Sequence, residues 1–190
     1  MLAFGGGHIA GALNIGAAGP LSIQAAWMLL PDKPLLLVLE SEAQLTTVPN
    51  HFARTGFERF AGYLTGEMSA WENSGHEIQS LSQVHVKGLA ARSTQVQGFS
   101  IPGVRSPQEW IKGHAPGAQH IFLPDLPDGL EALDKTNPMA VYCDSGYRAS
   151  IEASLLQSHG FEVSNVPESW QAWKSNALPV GLTEVAGKAG

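Results

Sequence analysis

Cys143-Asp144-Ser145-Gly146-Tyr147-Arg148-Ala149-Ser150 joins a short apolar run to a segment of helical period, and it carries the only cysteine of the chain. The run before it, Pro138-Met139-Ala140-Val141-Tyr142, is bounded by a proline and reads as a buried parallel strand. After it, Ile151, Leu155, Leu156 and His159 fall at helical spacing and Gly160 supplies a stop. Cys143 is therefore expected at the carboxyl end of a strand, with consecutive backbone N–H groups and a helix N-terminus curling over its sulfur. Such a place attracts anions and favours thiolate, the nucleophilic form of cysteine. A cysteine that only fills space needs neither a glycine three residues on nor an arginine five on. A loop wrapped round an anion needs both.

Composition narrows the field. The 190 residues are 44% hydrophobic and 8% aromatic, the profile of a globular protein with one large or two small domains. The net charge of -6, from 11 basic and 17 acidic residues, argues against nonspecific nucleic-acid binding. Strictly apolar runs such as residues 35–39 are far too short to span a membrane. Residues 1–19 lack a positive start and are broken by glycines, His8 and Asn14, so no signal peptide is expected. A single cysteine cannot form an internal disulfide, and a reducing, cytoplasmic setting is the simplest expectation.

The chain also repeats itself. Gly7-His8-Ile9-Ala10-Gly11-Ala12 returns 106 positions later as Gly113-His114-Ala115-Pro116-Gly117-Ala118. Pro34-Leu35-Leu36-Leu37-Val38-Leu39 corresponds to Pro138-Met139-Ala140-Val141-Tyr142-Cys143, and Thr55-Gly56-Phe57 to His159-Gly160-Phe161, both 104 apart. Ser69-Ala70-Trp71 meets Gln171-Ala172-Trp173 at 102. Landmarks in one order with drifting offsets imply two copies of a domain, and the period is too long for a solenoid. At the offset of 104, Cys143 falls on Leu39 and Arg148 on Gln44, so the first copy has no thiol chemistry. Only Met1–Gly7 precede His8, whereas Val84–Gly113 precede His114. Two strands and a helix of the second copy then have no counterpart in the first, where they would be supplied either by a longer chain or by a partner.

Each copy alternates strands and helices, the pattern of a parallel sheet covered on both faces. In the second copy we expect strands near 84–86, 96–101, 120–122 and 162–166, and helices near 87–92 and 107–112. Asp125, Asp128, Glu131 and Asp134 beside Leu126, Leu130 and Leu133 mark the solvated face of a short helix rather than a metal site. Trp170 and Trp173 close the core. Residues 78–83 have little linker character, so the two halves should touch. The seven histidines lack metal-ligand spacing, and neither metal nor cofactor is expected.

Two copies of G-H-x-x-G-A, a strand ending in C-x-x-G-x-R and a late tryptophan resemble the rhodanese (sulfurtransferase) family. The segment 27–38 is similar to the paired rhodanese tail of metallo-β-lactamase/rhodanese, persulfide dioxygenase-like fusions. The resemblance implies an α/β fold of two rhodanese-like domains, each a parallel sheet flanked by helices on both faces, the first N-terminally truncated. Residues 1–80 would be a degenerate, inactive copy lacking its first strands, 84–182 the copy with the Cys143 loop, and 183–190 a tail. Four residues between Cys143 and Arg148 match the small rhodanese loop that fits sulfur; the wider cradle of related phosphatases has five.

By that resemblance Cys143 attacks the outer sulfur of thiosulfate or a persulfide and carries a persulfide, which a thiol or cyanide then removes. Asp144, Ser145, Gly146 and Tyr147 form the persulfide-binding loop, with Tyr147 shaping its mouth, and Arg148 completes it and meets the donor anion. His8 and His114 pin turns, and His120 packs. The alternative is a non-catalytic docking or regulatory module of a persulfide-oxidising system, serving a persulfide dioxygenase-like domain or partner. The open edge of a truncated sheet leaves room for a homodimer. The sequence departs from the family pattern at Gly103-Val104-Arg105, where Arg105 lacks its usual acidic neighbour and reads equally as the family's arginine or as a surface residue. Pro167-Glu168 stand where the family usually has a glycine pair. Asp144 sets a negative charge beside the sulfur and opposes thiolate formation.

Overall fold

The computed structural model describes residues 2–96 and 98–182; the expected tail 183–190 lies outside them. The first half runs through α1 (Leu2–Gly6), α2 (Leu21–Met28), β1 (Leu35–Leu37), a 3-10 turn at Glu42–Thr46, α3 (Val48–Ala53), β2 (Phe60–Tyr63) and α4 (Glu67–Asn73). β1 and β2 pair in parallel. Their core is Leu21, Ala25, Val48, Phe52 and Phe57, with Phe52 edge-on to Phe57 and Phe60 at 5.8 and 6.0 Å, an arrangement the ring quadrupoles favour.

The second half holds β3 (Ser82–Gln83), α5 (Val86–Gln95), β4 (Pro102–Gly103), α6 (Pro107–Ile111), β5 (Gln119–His120), α7 (Leu126–Gly129), β6 (Met139–Val141), α8 (Tyr147–Ser158), β7 (Val163–Asn165) and α9 (Ser169–Ser175). β3, β7 and β6 pair in that order, and β4 pairs with β5. Parallel bridges from Ser100 to Met139 and from Gly103 to Tyr142 join the two sets, giving the spatial order β3-β7-β6-β4-β5. Successive residues of β6 point to opposite faces. Met139, Val141 and Cys143 enter one core with α8, while Ala140 and Tyr142 enter the other with Trp110, Trp170 and Trp173. This double burial explains the uninterrupted apolar run before Cys143.

Helix α8 is covered all round. Residues 149–156 are buried, including Ser150, Glu152 and Ser154. The expected apolar stripe meets the sheet core, and the first half covers much of the rest. Asn14 N–H donates to Ser154 Oγ at 2.9 Å, and Leu13, Ile15, Trp27 and Met28 pack onto the same core cluster. The two halves touch, as the absence of a linker predicts.

The order β1, α3, β2, α4 parallels β6, α8, β7, α9. Gly11 and Gly117 share φ values of 78° and 75°, and Glu67 and Ser169, neither a glycine, share 59° and 52°. His8 stacks on Phe4 at 3.8 Å with Nδ1 at 2.8 Å from the Phe4 carbonyl. His114 stacks on Trp110 at 4.0 Å with Nδ1 at 3.3 Å from its carbonyl. Among the described residues the first half has two strands where the second has five.

Several local expectations are corrected. The strand placed at 84–86 lies at Ser82–Gln83, because Val86 opens α5. The strand placed at 96–101 forms at Pro102–Gly103, because Val96 is the C-cap of α5 and Gly98 turns the chain at φ 78°. The strand at 120–122 begins one residue earlier, at Gln119–His120. The acidic helix is broken into Leu123–Asp125, Leu126–Gly129 and Leu130–Ala132, with Pro124 and Pro127 unable to donate within a continuous helix. Arg105 is not a surface residue. It is 3% exposed, donates to the carbonyls of Gly113 and Glu109 at 2.6 and 2.8 Å, and lies 4.7 Å over Trp170.

Gly103 has a steric reason. A Cβ there would come within 2.8 Å of the Trp110 ring and 3.0 Å of the Tyr142 ring, and both rings are held in the core. Gly103→Ala is expected to lower stability by about 1–3 kcal/mol through overpacking, measured as a shift of the urea midpoint at unchanged slope.

Candidate active site

Cys143 follows β6 and is fully buried. Gly146 N–H donates to its Sγ at 3.0 Å. That is the one loop N–H within hydrogen-bond reach of the sulfur in the described geometry, fewer than the sequence led us to expect. Gly146 stands at φ 95°, ψ -24° as the N-cap of α8, a conformation that glycine adopts without a Cβ penalty. The chain reverses there, which aims the N–H back at the sulfur.

The other side of Cys143 is held by α9. Ser169 Oγ accepts from the Cys143 N–H at 3.1 Å, donates to the Val166 carbonyl at 2.7 Å and lies 3.9 Å from Sγ. The N–H groups of Trp170 and Gln171 donate to the carbonyls of Cys143 and Asp144 at 3.0 and 3.1 Å. The Gln171 amide holds the Asp144 carboxylate at 3.0 Å, turning that charge toward α9. Ser169 had no signal in the sequence, because its contact depends on a left-handed backbone 26 residues downstream.

Arg148, expected to complete the loop and meet the donor anion, is paired in the structure with Glu109. Its Nη1 and Nη2 donate to the two oxygens of Glu109 at 2.6 and 2.7 Å, the bidentate geometry for which guanidinium is suited. Glu109 is held in turn by a capping box, Ser106 N–H donating to its carboxylate at 2.7 Å and Glu109 N–H to Ser106 Oγ at 3.3 Å. The sequence Ser106-Pro107-Gln108-Glu109 has the S-x-x-E spacing of that box, so its helix start was legible although its reach to Arg148 was not. Hydrogen bonding from Arg148 lowers the Glu109 pKa from 4.5 to about 2, burial opposing. Burial works most strongly against the charge of Arg148, but Glu109, Cys143 and Asp144 together outweigh it and leave the pKa raised.

A cleft of about 560 Å³ opens over the loop, lined by Ser145, Tyr147, Arg148 and Glu109 from one half and by Gln24 and Trp27 from the other. Cys143 itself, fully buried, is not part of that lining. A second cavity of about 580 Å³ is bordered by Leu39 and Glu40, the residues that the sequence offset of 104 sets against Cys143 and Asp144. There Gln44 Oε1 accepts from the Glu40 N–H at 3.1 Å, and neither thiol nor guanidinium is present. His120 packs on Trp110 at 4.7 Å, its Nε2 2.8 Å from the Arg105 carbonyl. Among the described residues no cluster of three or more His, Cys, Asp or Glu could hold a metal, and no helix is long and apolar enough to cross a membrane.

A parallel sheet with its lone thiol at a strand end, before a glycine-turned helix, defines the class. The chain belongs to the rhodanese-like domain family, whose model matches residues 90–176. YtwF of Bacillus subtilis, provisionally named a sulfurtransferase, is 34% identical over 76 residues, spanning 40% of this chain and 74% of its own. The thiosulfate sulfurtransferase GlpE of Pseudomonas fluorescens is 28% identical over 86 residues, 45% of this chain and 79% of its own. The fold is shared with a rhodanese-related protein of Thermoplasma volcanium, with a TM-score of 0.50 and 22% identity over 54% of this chain and 99% of that one. Family membership supports sulfurtransferase chemistry at the level of the family.

Two ionisable groups give opposite pH signatures. Glu109, depressed to about 2, contributes stability that is present above 4.5 and lost as pH falls through 2. Glu109→Gln should therefore cost on the order of 1–2 kcal/mol at pH 7, after allowance for solvent screening, and flatten the acid limb of thermal stability against pH. Glu152 is buried with both oxygens unpartnered. Burial, and secondarily the Cys143 sulfur, raises its pKa well above 4.5. The unfolded chain loses that proton from 4.5 upward while the folded chain keeps it, so stability falls as pH rises. Glu152→Met is expected to gain about 1–3 kcal/mol at pH 7 by removing unsatisfied oxygens, with the gain shrinking toward pH 4 in calorimetric scans.

Proposed function

We propose that the protein is a sulfurtransferase that carries sulfane sulfur as a Cys143 persulfide. The observation behind this reading is the lone thiol at the end of β6 with the Gly146 N–H donating to Sγ at 3.0 Å. The Cys143 thiolate attacks the outer sulfur of thiosulfate or a low-molecular-weight persulfide. The donor S–S bond breaks, its electron pair leaves with sulfite or a thiolate, and Cys143 keeps one sulfur. The Asp144-Ser145-Gly146-Tyr147 loop surrounds the added atom, and its N–H groups stabilise the negative charge in the manner of an oxyanion hole. Arg148, clamped by Glu109, fixes the loop's far end. A thiol or cyanide then takes the outer sulfur.

In this reading residues 1–80 are a degenerate copy of 84–182. The matched turns at Gly11 and Gly117 and the matched His8 and His114 stacks support it. Leu36, 75% exposed on β1, favours association at that edge, with a second copy or with a persulfide dioxygenase-like domain. Full burial of Cys143 favours a second reading, a docking module without turnover.

Incubation with thiosulfate or with a glutathione persulfide, followed by intact-mass measurement, is expected to add one sulfur to the protein and none to Cys143→Ser. Failure to add sulfur from either donor would remove the catalytic reading and leave the docking one.

A further inference from the structure

Strand β1 is bonded along one edge only. The Leu35 N–H donates to the Arg59 carbonyl at 2.8 Å, and the Leu37 carbonyl accepts from the Leu64 N–H at 2.9 Å. Alternation along a parallel strand turns the N–H and carbonyl of Leu36, and of Val38, to the opposite edge. The same pattern stands on β6, where the Met139 N–H donates to the Glu162 carbonyl at 2.9 Å and the Val141 carbonyl accepts from the Val166 N–H at 3.1 Å. There the other edge is filled. The Ala140 and Tyr142 N–H groups donate to the carbonyls of Ser100 and Pro102 at 3.0 and 3.3 Å, and the Tyr142 carbonyl accepts from the Val104 N–H at 3.2 Å. Among the described residues β1 has no strand beside it other than β2, and Leu36 and Val38 are 75% and 42% exposed.

The face of β1 that carries these two side chains is open as well. Leu36 and Val38 line the cavity of about 580 Å³ together with Phe4 of α1 and Met68 of α4. On β6, by contrast, Ala140 and Tyr142 are packed in one core with Val86 and Leu89 of α5 and with Ile101. Glu40, Glu67 and Glu72 also line the cavity, and among the described residues none of them is in an ion pair. An occupant therefore needs backbone groups for the β1 edge, apolar side chains for the cavity and positive charge for its acidic border. A second copy offering its own β1 edge would set the same acidic residues face to face, in a chain of net charge -6, and like charges at close quarters disfavour that. An extended peptide bearing lysine or arginine meets all of these demands.

We propose that the open β1 edge and its cavity form a strand-addition site for a partner polypeptide. The partner segment is extended, apolar at alternate positions and basic, and it runs parallel to β1 and bonds Leu36 and Val38. Its main chain supplies the ladder, its apolar side chains enter beside Phe4 and Met68, and its lysine or arginine meets Glu40, Glu67 and Glu72. The inference rests on the association read at that edge and is independent of sulfur transfer at Cys143.

The probe is a dye-labelled synthetic peptide of the chain's own residues 98–106, the segment that bonds the edge of β6 and carries Arg105. Titrated with the whole protein, its fluorescence anisotropy is expected to saturate, and Leu36→Pro to weaken binding about tenfold, the scale of one lost backbone hydrogen bond. Proline removes only the outward N–H, which edge strands tolerate. The peptide with Arg105→Glu is expected to bind more weakly, and affinity for the original peptide to fall as salt is raised. Hydrogen exchange at the Leu36 and Val38 amides is expected to slow in the complex. Leu36→Lys, which sets a charge on the edge, repeats the series if Leu36→Pro does not fold. Absence of saturation, or equal affinity for the protein and its edge variants, would overturn the proposal. So would sedimentation as a dimer whose Leu36 and Val38 amides are already protected, since the occupant is then a second copy. Sulfur loading from thiosulfate, read by intact mass, is expected to be the same in Leu36→Pro as in the unaltered protein. Failure of docking thus leaves the sulfurtransferase reading standing, and failure of both proteins to load sulfur removes that reading without touching this one.

Discussion

The bidentate pair between Arg148 and Glu109 joins the parts of this molecule that have most to do with chemistry. One partner opens the helix after the cysteine loop and the other closes the capping box of α6. Through α6 the pair reaches Trp110, whose ring carries His114 and His120 and fills the space left by Gly103. A partly buried ion pair contributes little through Coulomb attraction alone once desolvation is counted. Its value here is geometric, since two parallel hydrogen bonds define both position and plane. The loop around Cys143 inherits that definition.

Much of this was legible from residue patterns. The change from a strand run to helical period at Cys143 located the thiol, and the repeated G-H-x-x-G-A turns foretold matching local structures around His8 and His114. The illegible parts were contacts between residues distant in sequence. Glu109 has a helix-start signature that says nothing of Arg148. Ser169 touches Cys143 through a left-handed backbone that serine rarely adopts. Gly103 read as a missing acid, whereas two aromatic rings leave no room for a Cβ. Pro102 and Gly103 are poor strand formers by propensity, and tertiary packing overrides that preference.

The asymmetry between the halves is physical as well as chemical. In the second half five strands bury β6 on both faces. In the first, β1 keeps Leu36 largely exposed, and the segment after it, residues 39–44, carries neither thiol nor guanidinium. The first half nevertheless shapes the mouth above the Cys143 loop, through Gly19, Gln24 and Trp27, and helps cover α8, whose residues 149–156 are all buried.

Ser169 and α9 fasten one side of Cys143 through its N–H and carbonyl, and the sheet fastens the strand beneath. The remaining side is the seam where Tyr147 meets the glycines of the first half. A sulfur with no accessible surface meets a reagent only when that seam loosens. Its observed reactivity is then an opening equilibrium multiplied by an intrinsic rate, so the speed of thiol chemistry in this chain gauges how tightly its two halves are latched.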